Sequence, residues 1–398
     1  MSKTSRKPTL SANWPLERCE PEAVGLCPRR LGRISDLIRR YVDEGRVAGV
    51  ITLVTRRGRI AHLECAGVMD LETRKPLRED AIFRIYSMSK IVTGAAALML
   101  MEEGWFLPIE PVHRFLPEFK DLRVAVQGAD GKEELVRPRR DVTIHDLFTH
   151  LSGLTYEYMQ DLRLPGADLK TVVPDLCKRP IHQHPGEKWT YGMSTDVLGR
   201  LIEVVSGMTF DAFLQKRVFA PLGMTDTDFW VPPAKAERLA WMYTTDDAGK
   251  LVSAEDRATS PYLKRPAFLS GGGGMVSTTS DYLRVALMLL NKGAFGDVRL
   301  LGRKTVELMT ADHLPPNHPP VDANDRGFGL GVSVLRRLGE TRQVGSVGEF
   351  GWGGAACTQT WIDPAEDMIT MIMLQHRPKD KFPLMDLFKQ SAYQAIVD

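Results

Sequence analysis

Apolar and polar positions alternate with different periods along the chain, and the change of period marks the elements. From Gly32 to Glu44, Ile34, Leu37, Ile38 and Tyr41 recur at helical spacing, with Gly45 placed to end the helix. Residues 50–54 and 60–65 are β-prone runs around Arg56-Arg57-Gly58-Arg59, which predicts a hairpin. A helix is predicted from Ser87 to Glu103; it is apolar on every side after Lys90, the pattern of a buried helix. Helical spacing returns at 143–150, 195–205, 210–218 and 280–291 among Pro- and Gly-rich loops. Strands are predicted at 329–335, 355–362 and 368–374, with residues 363–367 turning between the last two, and an amphipathic helix at 384–397. Strands at both ends of the chain with helices between them predict an α/β (α+β) architecture. Residues 1–90 and 301–398 would build one domain, residues 91–300 a mainly helical one, and the cleft between them the active site.

Composition narrows the class. The 398 residues are 43% hydrophobic and 26% charged with a net charge of +2, which fits a globular protein and gives no basis for nucleic-acid or membrane partners. No apolar run reaches the roughly 20 residues of a membrane span. The N-terminal residues lack an apolar signal segment, and five cysteines without metal-type pairing suit reduced thiols, so a cytoplasmic location is expected. No Gly-x-Ser-x-Gly, Walker A or His-Glu-x-x-His motif occurs, and His182-x-His184 lacks an evident third ligand. Neither a metal nor a cofactor is expected. The run Gly271 to Gly274 reads as a tight turn with close backbone packing.

The chemistry-bearing motif is Ser87-Met88-Ser89-Lys90 at the head of the buried helix. Residues i and i+3 share a helix face, so Lys90 would lie over Ser87, and the free N–H groups of a helix start favour an oxyanion beside it. Lys90 would act as a base if neutral, or assist another base if charged. Read alone, the motif fits equally well a capping serine with a solvated lysine. Two further features tip the balance. Tyr191-Gly192-Met193-Ser194 follows a loop and leads into a helix, and Gly351-Trp352-Gly353-Gly354-Ala355 stands at a strand entrance where substrate can approach the backbone.

Ser-x-x-Lys, a tyrosine loop about a hundred residues on, and a glycine-rich strand near the C-terminus follow the motif order of the serine β-lactamase and penicillin-binding-protein superfamily. Residues 82–90, 147–154, 221–227 and 272–278 resemble its class C branch, and within it the family VIII carboxylesterases. The resemblance implies an antiparallel sheet flanked by helices with a mainly helical inserted domain. It also implies Ser87 as acylated nucleophile, Lys90 as its proton partner, Tyr191 as general base, and the N–H groups of Ser87 and Ala355 as oxyanion hole. By the same resemblance Met193, Trp352, Gly353 and Gly354 are expected to contact substrate; Met193 stands where β-lactamases carry an asparagine, and Trp352-Gly353-Gly354 where they carry Lys-Thr-Gly, so the loss of a cation favours neutral, apolar acyl groups. The expected activity is hydrolysis of short-chain or otherwise neutral carboxylic esters, a small-molecule partner. An acyltransferase of the kind that makes statin side chains, a weak β-lactamase and a non-catalytic binding protein are the alternatives.

Overall fold

The computed structural model describes residues 15–128, 131–162, 164–256, 258–322, 324–341 and 343–398. Ten strands and six helices position the site. The strands are β1 (Gly49–Arg56), β2 (Arg59–Asp70), β3 (Lys75–Pro76), β4 (Ile82–Arg84), β5 (Val276–Thr278), β6 (Arg326–Phe328), β7 (Ser333–Leu335), β8 (Phe350–Gly353), β9 (Gln359–Asp363) and β10 (Met368–Leu374). The helices are α1 (Arg33–Asp43), α2 (Ser89–Glu102), α3 (Ile144–Thr149), α4 (Ser194–Ser206), α5 (Thr279–Leu290) and α6 (Leu384–Tyr393). Eight strands form one antiparallel sheet in the order β6-β7-β8-β9-β10-β1-β2-β3, and β4 pairs with β5 beside it. This is the β-lactamase/transpeptidase-like architecture that the motifs imply.

The central strands explain why the sheet is buried on both faces. Every residue of β1 and β10 is buried. Successive side chains point to opposite faces, so Ile51, Leu53, Ile369, Met371 and Met373 enter the large core shared with α2, α4 and α5. Val50, Val54, Met368, Ile372 and Leu374 enter the core made with α1 and α6. The apolar runs therefore read as continuous rather than alternating, as strands covered on two sides must. In the hairpin, Arg57 and Gly58 both take positive φ (51° and 71°), the geometry that matches a two-residue turn to the twist of its strands.

Three predicted elements are corrected. The single strand expected at 329–335 is a hairpin, β6 and β7, because the chain reverses at residues 329–332, where Gly331 has φ 91°. The strand expected from Ala355 starts only at Gln359; residues 355–358 form a turn with Cys357 at φ 64°, and the strand before it is β8. The last helix ends at Tyr393 rather than near Val397. Among the described residues, no helix is long and apolar enough to cross a membrane.

The start of β8 is anchored by a buried ionic cluster. Glu349, fully buried, accepts hydrogen bonds from Arg326 of β6, from Lys389 Nζ (2.8 Å) and from Tyr393 Oη (2.6 Å), the last two on α6. Removing a buried carboxylate from two cations leaves their charges uncompensated, at a cost of about 3–5 kcal/mol. Glu349→Gln is therefore expected to lower the unfolding free energy by about that amount in urea titrations; a loss below about 1 kcal/mol would show that the cluster does not hold β8.

Candidate active site

Ser87 is presented by a bend rather than by the helix itself. Tyr86–Met88 form a 3-10 turn, and α2 begins at Ser89, two residues later than a start at Ser87 would require. Tyr86 adopts φ 42°, a conformation that a bulky residue holds only when its surroundings enforce it and that clusters at functional sites. Behind the bend, α2 is buried on all sides and passes so close to the turn before β7 that a Cβ on Gly94 would lie 2.9 Å from the Leu330 carbonyl.

Lys90, fully buried, is the centre of the site. Its Nζ donates to Ser87 Oγ (3.2 Å), to Tyr156 Oη (2.9 Å) and to the Gly272 carbonyl (2.5 Å), and lies 4.5 Å from the centroid of the Tyr191 ring. Burial alone would drive such an ammonium toward neutrality; charge interactions and hydrogen bonds with Tyr156 and Tyr191 outweigh it and raise the pKa above the ordinary lysine value. Of the two roles open to Lys90, the structure therefore supports the charged one. Tyr156 was not singled out from the sequence. Burial raises its pKa, opposed by Lys90, so it stands as a neutral phenol bracing the cation.

Tyr191 reaches the site because Gly192 lets its loop press against the backbone at Leu154 and Thr155, where a Cβ would lie 2.1 Å from the Leu154 carbonyl. The Tyr191 and Tyr156 rings then meet edge to face, with centroids 5.5 Å apart. Tyr191 Oη accepts the indole N–H of Trp352 at 3.0 Å. Trp352 thus spends its one donor on Tyr191, not on substrate. The Lys90 ammonium lies against the face of the Tyr191 ring and the indole N–H is aimed at its oxygen. His150 packs behind the same ring at 4.9 Å, fully buried; burial and then Lys90 hold its imidazole well below the usual histidine range, so it is a neutral support.

Two chambers, of about 720 and 760 Å³, meet at Ser87, Tyr191 and Ala355. The first runs along Trp352, Gly353 and Gly354 to Gln359 and Lys379; the second is walled by Tyr86, Met159, Leu164, Phe229, Tyr262 and Phe268. Ser87, Lys90, Tyr191, Trp352, Gly353, Gly354 and Ala355 are thus brought together, Ala355 from the turn after β8. Met193 is not. It is completely buried in the core and lines neither chamber, because it sits where the loop turns inward to start α4; the substrate contact expected of it is corrected to a packing role. His182 pairs with Tyr158 and Glu157, and His184 Nδ1 accepts the Arg139 N–H; neither lines a chamber.

Comparison with known proteins agrees with this geometry. The family model described as Beta-lactamase matches residues 34–394. Protein Rv1367c of Mycobacterium tuberculosis is 34% identical over 358 residues, covering 86% of this chain and 89% of that one. Esterase EstB of Burkholderia gladioli is 29% identical over 387 residues, covering 89% and 93%. Among solved structures, EstCE1, a hydrolase with promiscuous acyltransferase activity, superposes with a TM-score of 0.78 at 25% identity, covering 92% of this chain and 99% of that one. With the fold, the Ser87–Lys90 contact and the matched span in agreement, the chain belongs to the Beta-lactamase family, within the superfamily of serine β-lactamases and penicillin-binding proteins.

Proposed function

We propose that this protein is a serine carboxylesterase of the family VIII type, acting in the cytoplasm on esters with uncharged, apolar acyl groups through an acyl-enzyme on Ser87. The observation that carries this reading is the position of the Lys90 ammonium, within hydrogen-bond distance of Ser87 Oγ and against the face of Tyr191, at the junction of two chambers. The likeness to EstB and EstCE1 supports it.

In this mechanism Ser87 Oγ attacks the ester carbonyl carbon while its proton passes to Tyr191 Oη. The negative charge moves to the carbonyl oxygen, held by the N–H groups of Ser87 and Ala355. As the C–O bond to the alcohol breaks, Tyr191 returns the proton to the departing oxygen. Water then attacks the acyl carbon, gives its proton to Tyr191, and the acid leaves as Ser87 recovers the proton. Lys90 stays charged throughout; it fixes Ser87 through its hydrogen bond to Oγ and lies against the face of Tyr191. The apolar chamber suits the acyl group. Acyl transfer is the second reading: an alcohol in place of water completes the same cycle, and the EstCE1 likeness favours it.

A fluorophosphonate probe is expected to add one label to the intact protein, and Ser87→Ala to abolish both the label and hydrolysis of p-nitrophenyl butyrate; label retained by that variant would refute the assignment. Tyr191→Phe is expected to lower kcat by roughly 10²- to 10⁴-fold. Tyr156→Phe removes one acceptor from a buried cation and is expected to cost roughly 10- to 150-fold, measured as kcat/KM with the fold checked by circular dichroism.

The pH profile gives an independent check. Lys90 has a raised pKa, so it stays a cation up to and past the ordinary lysine value and is lost only at higher pH. His150 has a lowered pKa and is neutral through the physiological range. Activity is therefore expected to hold or rise from about pH 6.5 to 9. A histidine-type limb that disappears in His150→Gln would contradict the assignment of Tyr191 as base.

A further inference from the structure

The esterase reading leaves one cation in the site without a role. Lys379 lines the chamber that runs along Trp352 and Gly353, partly buried, and its Nζ donates to a neutral group, Gln359 Oε1, at 3.3 Å. Among the described residues no carboxylate lies within ion-pairing distance of it. The carboxylates on the same wall are engaged elsewhere: Asp322 accepts the Asn324 N–H (2.8 Å) and Asp386 the Gln343 side-chain amide (2.7 Å), while Arg326 is paired with Glu349. An ammonium has three donors, so two remain for a ligand.

The floor of the chamber is shaped around this lysine. A Cβ on Gly353 would lie 1.9 Å from Gln359 Oε1 and 2.6 Å from Lys379 Nζ, the ends of two flexible side chains, so a larger residue at 353 would displace the pair from its place over the strand. Gly353 does not take positive φ, so the glycine here provides space rather than backbone freedom. Lys379 Nζ thereby sits over Gly353, two residues before Ala355.

The direction of the reaction assigns this chamber to one half of the substrate. The departing alcohol oxygen must take its proton from Tyr191 Oη, which is turned toward Trp352 by the 3.0 Å hydrogen bond, and Trp352 lines the Lys379 chamber and not the apolar one. We infer that Lys379 is an anion anchor and that the preferred substrates are esters whose alcohol half carries a carboxylate, with the apolar acyl group in the opposite chamber. This rests on the esterase reading and narrows it: the acyl group is neutral and the leaving group is not. A cation removed from the position of Trp352 is in effect supplied from Lys379, in the segment that follows β10.

The test compares two butyrate esters, 4-carboxyphenyl butyrate and 4-carbamoylphenyl butyrate, each corrected for its uncatalysed hydrolysis. The wild-type protein is expected to favour the carboxylate, and Lys379→Gln to lower the ratio of the two kcat/KM values by about tenfold, mainly through the KM of the charged ester, since the anchor binds ground and transition states alike. Lys379→Arg should keep most of the preference, and added salt should erode it in the wild type. A wild-type ratio near one, or the same ratio in Lys379→Gln, overturns the anchor while hydrolysis itself upholds the esterase. An equal loss on both esters gives Lys379 a structural role and also overturns it. Hydrolysis of neither ester by the wild type overturns the esterase reading, and the anchor with it.

Discussion

An ammonium buried without access to water must have all of its hydrogens received by protein groups, and the geometry around Lys90 follows from that requirement. One hydrogen goes to Ser87, one to Tyr156 and one to the Gly272 carbonyl. The last of these explains the glycine run. A Cβ on Gly271 would lie 2.6 Å from the Thr195 carbonyl, and one on Gly272 2.9 Å from Asp196 Oδ2 and 3.2 Å from Tyr156 Oη. Only a chain without side chains can thread between α4 and Tyr156 to bring its carbonyl onto Lys90. The positions of Ser87, of Tyr156 and of the Gly272 carbonyl are thus three consequences of one buried charge.

That charge is also balanced at a distance. Asp196, in the first turn of α4 and fully buried, accepts hydrogen bonds from Ser270 Oγ (2.5 Å) and from the Gly272 N–H (3.2 Å). The Gly272 peptide therefore has a carboxylate on its N–H and an ammonium on its carbonyl, an arrangement in which each charge polarises the peptide in favour of the other. Asp196 is five residues beyond Tyr191 on the same loop-to-helix segment, so the segment that delivers Tyr191 also delivers the counter-charge. The fold couples them by chain connectivity.

How much of this was legible in the sequence depends on whether the signal was local. The Ser87–Lys90 relation follows from helical spacing, and the twin burial of β1 and β10 from unbroken apolar runs. Motif order placed Tyr191 and the Trp352 segment in the same cleft, which spacing alone does not. Tyr156 lies two residues past the Leu147-to-Leu154 motif and carries no local signature, since a tyrosine after a Leu-Thr pair reads as ordinary packing; only the fold brings it within 2.9 Å of Lys90. Met193 misled for the complementary reason. Its alignment with a polar residue of the β-lactamases suggested a substrate contact, but an apolar side chain at a helix entry is drawn into the core. Strand ends at Ala355 and Gly329 were misplaced because glycine-rich segments satisfy either strand or turn, and the choice is made by partner strands distant in sequence.

On the proposed mechanism water or an alcohol can be the acyl acceptor, because nothing in the Ser87–Lys90–Tyr191 geometry distinguishes them; selection falls to the walls. Tyr86 is held in its unfavourable conformation between those walls, its ring 6.4 Å from Tyr262 and covered by the Arg377 guanidinium at 5.4 Å. Arg84, fully buried on β4, carries the far side of that wall by bonding Ala240, Ser260 and Glu255, and stacks under Tyr262. The backbone strain that exposes Ser87 is thereby sustained by contacts from the loop that shapes the apolar chamber. The shape of the apolar chamber and the presentation of Ser87 are mechanically one feature, so reshaping this loop also changes how Ser87 is held.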